Sequence, residues 1–182
     1  MTEKKPRRQE PDRRSRIIDT TLDVIAKYGV VGTTHRRVAE AADVPLGAMT
    51  YYFSSINELL QEAFSRLIDT MFVEFRAKID VAVTKEQACQ AIIDWACSDM
   101  WKSRRNLTLI FEFTAFAARD ASLRPLLLKW LALSESNLSQ HFDKSTAKMI
   151  DAFLDGVIMR NIMSENFVTD DEIAVFIRKL AQ

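Results

Sequence analysis

The stretch between Thr33 and Phe53 holds the side chains whose chemistry is easiest to interpret. Arg36 and Arg37 supply two adjacent guanidinium groups, which can bind phosphates or the edges of guanine. Tyr51 and Tyr52 supply two adjacent phenols, whose hydroxyls can donate to phosphates while the rings lie against sugars. Guanidinium groups and phenols spaced in this way are typical of a surface that contacts nucleic acid.

Residues that could catalyse a reaction or hold a metal are sparse. The two histidines, His35 and His141, lie in different parts of the sequence, and Cys89 and Cys97 are the only cysteines. The sequence contains no C-x-x-C pair, P-loop, nucleophile elbow or H-E-x-x-H motif. We therefore expect neither an enzyme nor a disulfide scaffold, and we expect no metal or cofactor.

The composition favours a helical globular protein. Of the 182 residues, 48 % are apolar and 27 % are charged, whereas Gly and Pro number only four each. So few turn-forming residues disfavour an all-β fold. No stretch approaches the roughly 18 apolar residues of a membrane span, and the polar N-terminus resembles no secretory signal. We expect an all-α, cytoplasmic protein without a membrane partner.

Apolar periodicity predicts about nine helices in two blocks. The first block holds three: Asp12 to Gly29, His35 to Ala42, and Pro45 to about Phe53. Gly29 is expected to cap the first helix in a left-handed conformation, and Asp43 to take the same conformation in the turn. Pro45 is expected at the first position of the third helix, where its missing N–H has no helical partner.

The second block is predicted to hold six longer helices. The starts or bounds expected from the sequence are Ser55 or Asn57 to Lys78, Thr84 to Ala96, Leu107 to Ala118, Ser122 to about Phe142, Ser145 to about Met163, and Thr169 to Leu180. Arg104 to Asn106 is expected to interrupt the pattern. Thr84 with Gln87 has the spacing of a capping box.

The charges are unevenly distributed along the chain. Residues 1–53 hold ten Lys or Arg and seven Asp or Glu, whereas residues 54–182 hold fifteen and eighteen. We interpret residues 1–11 as a mobile basic arm, with a solvated tail of no function as the alternative. The predicted domains are residues 12–54, a helix-turn-helix unit, and residues 55–182, a helical regulatory and dimerisation unit.

Two short helices joined by a tight turn at Asp43 are typical of a helix-turn-helix motif. Its second helix would present Leu46, Gly47 and Ala48, which are small or flat enough to approach the floor of a groove. Helix-turn-helix folds also occur without DNA, so the motif alone leaves both possibilities open.

The sequence TTHRRVAEAADVPLGAMTYYF at 33–53, followed by Glu58-Leu59-Leu60, resembles the signature of the TetR-family transcriptional regulators. The specific match covers about residues 15–65. The tract MTYYF is most similar to a subset that includes a curli and biofilm regulator of enteric bacteria. Three residues depart from the usual pattern: Asp43 replaces a Gly, Thr50 stands where many members have a phosphate-binding Tyr, and Ile56 stands where many have Lys.

The resemblance implies a DNA-binding role for individual residues. Thr34 would bind a phosphate and cap its helix, and Arg36 would enter the major groove. Leu46 and Ala48 would contact thymine methyls, while the two tyrosines would clamp the backbone. The complete implied set is Thr34, Arg36, Arg37, Pro45, Leu46, Gly47, Ala48, Thr50, Tyr51 and Tyr52.

The last two long helices are the candidate dimer interface. One short recognition helix reads too few bases for genomic specificity, so we expect a twofold-related pair on a palindromic operator. The candidate residues are Phe153, Gly156, Val157, Arg160, Met163, Phe176, Ile177 and Leu180. The alternative is that these apolar stripes pack only inward.

Aromatic and sulfur-containing side chains in three consecutive helices could enclose a ligand. The candidate pocket residues are Trp95, Met100, Trp101, Phe111, Phe113, Phe116 and Trp130. The alternative is an ordinary hydrophobic core. If a pocket exists, an apolar or aromatic small-molecule effector is the expected occupant.

The predicted function is a homodimeric repressor that binds double-stranded DNA and responds to a small molecule. A protein-binding helical adaptor and a nonspecific architectural DNA-binding protein are the alternatives. Steep weakening of binding with salt separates DNA binding from the adaptor.

Overall fold

A computed structural model describes residues 10–164 and 168–182, and every regular element in these residues is helical. The α-helices are α1 Glu10–Gly32, α2 His35–Ala41, α3 Leu46–Tyr52, α4 Ile56–Ile79, α5 Lys85–Ala96, α6 Asp99–Lys102, α7 Arg104–Ala117, α8 Arg124–Leu138, α9 Lys144–Met163 and α10 Asp170–Leu180, with a 3-10 turn at Ala121–Leu123. The all-α prediction is confirmed: each of the nine predicted helices is present, and the four-residue α6 is additional.

The N-terminal arm falls largely outside the described residues. Residues 1–9 of the predicted arm, 1–11, are among those that the structure does not describe, and α1 already begins at Glu10. Within the described residues, no helix combines the length and apolarity that crossing a membrane requires.

The chain forms two compact units that divide inside α4: the first extends to Leu67 and the second begins at Ile68. The first part of α4 belongs with α1 because side chains connect the two helices. Arg66 Nη1 donates to Asp19 Oδ1 at 2.8 Å, and Arg14 pairs with Glu62. The functional boundary expected after residue 54 stays a prediction, and the division into compact units lies further along the chain, inside α4.

The three-helix core of the first unit forms as expected. Val38, Met49 and Phe53 are almost fully buried. Thr34 caps α2, its hydroxyl oxygen accepting from the Arg37 backbone N–H at 3.3 Å. Asp43 adopts φ 52°, which confirms the predicted left-handed turn.

Helix ends differ from the prediction at three places. Gly29 has the expected positive φ (70°) and a non-helical ψ of 170°, so the helix kinks there, and a short helical piece continues from it to Gly32. Pro45 is the N-cap of α3, because its extended ψ of 143° turns its carbonyl to accept from the Ala48 N–H at 2.9 Å. The predicted interruption at Arg104 is instead the first turn of α7, which Ser103 caps.

Substitutions at Asp43 test the turn. Asp43→Val should lower the free energy of unfolding by about 1–2 kcal/mol, because a β-branched residue is strained at positive φ. Asp43→Gly should leave this free energy nearly unchanged or raise it, since glycine has no such penalty. Urea unfolding monitored by circular dichroism measures both. Equal destabilisation by Val and Gly would show that the Asp43 side chain, not its backbone conformation, stabilises the turn.

An aromatic cluster forms the core of the second unit. The Trp95 ring lies 4.7 Å from Phe75 and 4.6 Å from Trp101 between centroids, and Phe72 lies 5.1 Å from Trp130. The Trp95 indole N–H donates to the Met71 carbonyl at 3.4 Å. These contacts fill the centre of the unit.

Two capping boxes define helix starts in the second unit. The expected box of Thr84 and Gln87 is present at α5, and Thr169 with Glu172 forms another at α10. The Thr169 backbone N–H and hydroxyl both donate to Glu172, so they lower the pKa of that carboxyl. These local signals fixed the start of each helix within a few residues.

Candidate nucleic-acid interface

The outward face of α3 carries no charged side chain. Leu46, Gly47, Thr50 and Tyr51 are exposed, whereas Met49 is fully buried on the opposite face. Nothing lies within 4 Å of the position that a Cβ on Gly47 would occupy. A larger residue at position 47 would therefore not clash with the rest of the chain. With glycine there, this face of α3 can approach a flat surface closely.

The polar groups of α3 are Thr50 and the tyrosines. The Thr50 hydroxyl donates to the Gly47 carbonyl at 3.2 Å, which leaves its oxygen able to accept. Tyr51 is 72 % exposed, but the Tyr52 hydroxyl is enclosed and has no hydrogen-bond partner among the described residues. The two rings meet edge to face at 4.9 Å. In this conformation only Tyr51 can offer its hydroxyl to a phosphate, so the implied two-tyrosine clamp is reduced to one.

The arginines of α2 differ in their surroundings. Arg37 donates to the Gly32 carbonyl, and its guanidinium lies 4.7 Å from the centroid of the Tyr28 ring. The Arg36 side chain is exposed and forms no hydrogen bond or ion pair with any residue that the structure describes. Of the two, Arg36 has the conformational freedom to reach a base edge, while Arg37 is held as a fixed positive charge.

The sequence analysis did not identify Lys27 and Tyr28 as neighbours of the candidate interface. The Lys27 ammonium lies 5.1 Å from the Tyr28 ring centroid, so this ring contacts two cations, Lys27 and Arg37. Tyr28 is half exposed at the end of α1. In the sequence these residues are only a Lys-Tyr pair before a glycine. That pattern does not predict that the Arg37 guanidinium contacts the Tyr28 ring.

The beginning of α4 supplies no positive side chain. Ile56 is half buried, and Glu58 accepts from the Ser54 backbone N–H at 2.6 Å and from the Ser54 hydroxyl. The hydroxyl contributes most to lowering the pKa of Glu58, followed by the N–H. An apolar residue therefore stands at the start of α4 beside a carboxylate whose pKa is lowered.

Arg36 and Arg37 form a matched pair for mutation. Arg36→Ala should weaken operator binding by about 1–3 kcal/mol and relax preference at one base pair, as expected for a side chain that reads a base edge. Arg37→Ala should weaken binding to all sequences alike. Gel-shift titrations against operator variants distinguish these results, and unchanged operator affinity in Arg36→Ala would refute the assignment of that residue.

The second unit contains a cavity of about 190 Å³ between α7, α8 and α9. Its lining residues are Ile110, Phe111, Phe113, Thr114, Leu127, Trp130, Leu131, Asp155, Ile158 and Met159. Three of the expected pocket residues, Phe111, Phe113 and Trp130, are among them.

The other expected pocket residues lie elsewhere. Trp95 and Trp101 line a separate void of only about 10 Å³, because their rings fill the core against each other. Met100 and Phe116 line neither space. Aromatic content alone did not distinguish residues that fill a core from residues that border a cavity.

The outward face of α9 carries both apolar and charged side chains. Gly156, Arg160 and Met163 are exposed, with Met163 at 78 %, and nothing lies within 4 Å of a Cβ built on Gly156. The half-buried Phe153 contacts the exposed Phe176 of α10 at 5.4 Å between ring centroids. These residues form a stripe with Leu180, which is half buried.

Val157 and Ile177 of the expected interface lie on the inward side. Both are buried within their own chain. Each follows an exposed residue of the stripe by one position, which is slightly more than a quarter-turn of helix. Their side chains therefore pack into the core of their own chain.

The fold and the exposed face of α2 and α3 define a helix-turn-helix DNA-binding protein. The pattern of the tetR family of bacterial regulatory proteins matches residues 17–63. The HTH-type transcriptional regulator PksA of Bacillus subtilis (strain 168) is 31 % identical over 179 residues, covering 88 % of this chain and 84 % of PksA.

Solved structures show the same fold. SCO7518 of Streptomyces coelicolor A3(2), described as a transcriptional regulator, superposes with a TM-score of 0.84 at 34 % identity, over 94 % of this chain and 99 % of that one. The multidrug binding protein EbrR, complexed with imidazole, has a TM-score of 0.74 at 27 % identity, over 94 % and 96 %. The chain belongs to the TetR family and is a DNA-binding transcriptional regulator.

Proposed function

We propose that this regulator acts in the cytoplasm as a homodimeric repressor of a palindromic operator and that a small molecule releases it. The main observation in support of this proposal is the outward face of α2 and α3. Arg36, Gly47, Thr50 and Tyr51 are exposed there, and the Thr50 hydroxyl, which donates to the Gly47 carbonyl, keeps its oxygen able to accept. Residues 12–54 would bind the DNA, and residues 55–182 would regulate and dimerise.

The stripe of exposed side chains on α9 and α10 is the observation that favours a dimer. Exposed apolar side chains that lie together on adjacent helices favour burial against another surface. A twofold-related pair would carry two recognition helices, as an operator with half-sites about 34–36 Å apart requires. Two half-sites then supply the specificity that seven residues of α3 cannot.

The cavity between α7, α8 and α9 is the observation that favours control by a small molecule. It has apolar walls and few polar groups, as ligand sites usually do. EbrR, which is similar in fold, is a multidrug binding protein. The helix α4 has residues in both compact units, so a ligand that favours one position of α4 could change the separation of the recognition helices.

Selection of genomic fragments bound by the purified protein tests this function. We expect a dyad-symmetric footprint and an affinity that falls with salt at a log–log slope of roughly −0.9 per neutralised phosphate. The genes beside the operator would also show whether the similarity of MTYYF to the curli and biofilm subset extends to its targets. Binding without a dyad footprint would indicate an architectural protein, and no salt-dependent DNA binding would indicate an adaptor.

A further inference from the structure

The cavity between α7, α8 and α9 contains a single ionisable group. Among its lining residues only Asp155 has a titratable side chain, and the others are apolar or aromatic apart from the Thr114 hydroxyl. Asp155 itself is exposed to solvent. Its carboxylate therefore borders both the apolar space and water.

Asp155 has no countercharge in the part of the chain that the structure describes. It forms neither an ion pair nor a hydrogen bond there, whereas Asp151, one turn earlier on α9, accepts from the Ser134 hydroxyl. Partial desolvation, with a smaller contribution from the charge of Asp151, raises the pKa of Asp155 to about 6. A cation that enters the cavity would pair with this carboxylate, which has apolar groups on one side and no charge partner of its own among the described residues.

The dimensions and walls of the cavity restrict its occupant. A dry cavity of about 150 Å³ accommodates a benzene ring, whereas drug-sized ligands occupy pockets from about 300 Å³ upward. At about 190 Å³, and open to solvent beside the exposed Leu131 and Met159, this cavity has room for one substituted ring. Phe111, Phe113 and Trp130 supply aromatic surface, which attracts both another ring and a positive charge.

We propose that the effector is a small aromatic cation, whose ring lies among Phe111, Phe113 and Trp130 and whose positive charge lies at Asp155. This proposal rests on the proposed function, because it names the chemical class of the ligand in the same cavity. Asp155 is thus the residue that determines specificity for charge, while the aromatic walls determine size.

Two probes of nearly equal shape test the charge directly. Phenyltrimethylammonium and tert-butylbenzene differ in one central atom, N⁺ or C, so the cavity contacts are matched. The neutral probe gains more by leaving water for an apolar space, so a preference for the cation requires an anionic or aromatic partner, and the Asp155 variants distinguish these two. By calorimetric titration of the dimer we expect the cation to bind at least tenfold more tightly, which is about 1.4 kcal/mol.

Substitution of Asp155 tests whether this residue causes the preference for the cation over the neutral probe. Asp155→Asn should remove it, Asp155→Glu should retain most of it, and Glu74→Gln, which removes a negative charge from an exposed position on α4, should leave it unchanged. Unchanged circular dichroism would show that each variant is folded. A wild type that binds tert-butylbenzene as well as the cation, or that binds neither probe at millimolar concentration, overturns the proposal, as does an Asp155→Asn variant that keeps the preference.

Operator release separates this proposal from the function on which it rests. If phenyltrimethylammonium but not tert-butylbenzene releases the operator in a gel shift, both are supported. If only neutral or anionic compounds release it, the cation proposal fails while small-molecule control stands. If the cation binds at Asp155 without any effect on operator affinity, the ligand class is supported and the proposed control of DNA binding fails.

Discussion

Gly47→Leu should abolish specific DNA binding in a protein that remains fully folded. The fold has open space at this position, with nothing within 4 Å of an added Cβ. Glycine within a helix also costs about 0.5–1 kcal/mol relative to alanine, so a larger residue should not weaken α3. The branched side chain would instead fill the gap between α3 and the groove floor. We expect operator affinity to fall at least 100-fold, which is about 2.7 kcal/mol.

Gly47→Ala is the matched control. It should raise the free energy of unfolding by a few tenths up to about 1 kcal/mol and reduce operator affinity far less than leucine does. Fluorescence anisotropy with labelled operator and thermal unfolding together measure both quantities. If Gly47→Leu bound the operator with unchanged affinity, α3 would not lie in the groove, and the DNA-binding face would have to be sought elsewhere.

Gly156→Glu should convert the dimer to a folded monomer. Gly156 is exposed on α9, and an added side chain would meet open space within its own chain. Glutamate has a higher helix propensity, and at this position it stands four residues before Arg160, a favourable spacing for opposite charges on a helix. Across a twofold axis, however, it would place two additional charges in an interface whose proposed residues are apolar apart from Arg160.

The consequence of Gly156→Glu for DNA binding should be large, because a monomer engages one half-site. We expect at least a 100-fold loss of operator affinity, with helix content unchanged. Sedimentation velocity at micromolar concentration gives the oligomeric state, and Gly156→Ala, which adds one methyl group without charge, is the comparison. Persistence of the dimer in Gly156→Glu would exclude this part of α9 from the interface.

Local sequence was sufficient where neighbouring residues determine the conformation. The left-handed turn at Asp43, the capping box of Thr84 and Gln87, and the buried positions of Val38 and Met49 all follow from short-range backbone chemistry and helical period. The helix-turn-helix was predictable for the same reason, since its two helices are adjacent along the chain and joined by a turn of defined geometry.

The tertiary structure decided what each functional side chain faces. Tyr51 and Tyr52 are chemically identical neighbours, yet packing exposes one hydroxyl and encloses the other. Arg37 is held by Tyr28, and Asp155 borders a cavity whose aromatic walls come from two other helices. The sequence by itself therefore determined the fold class and the family. The surroundings of individual side chains depend on contacts between helices that are distant in sequence, and no local pattern records those contacts.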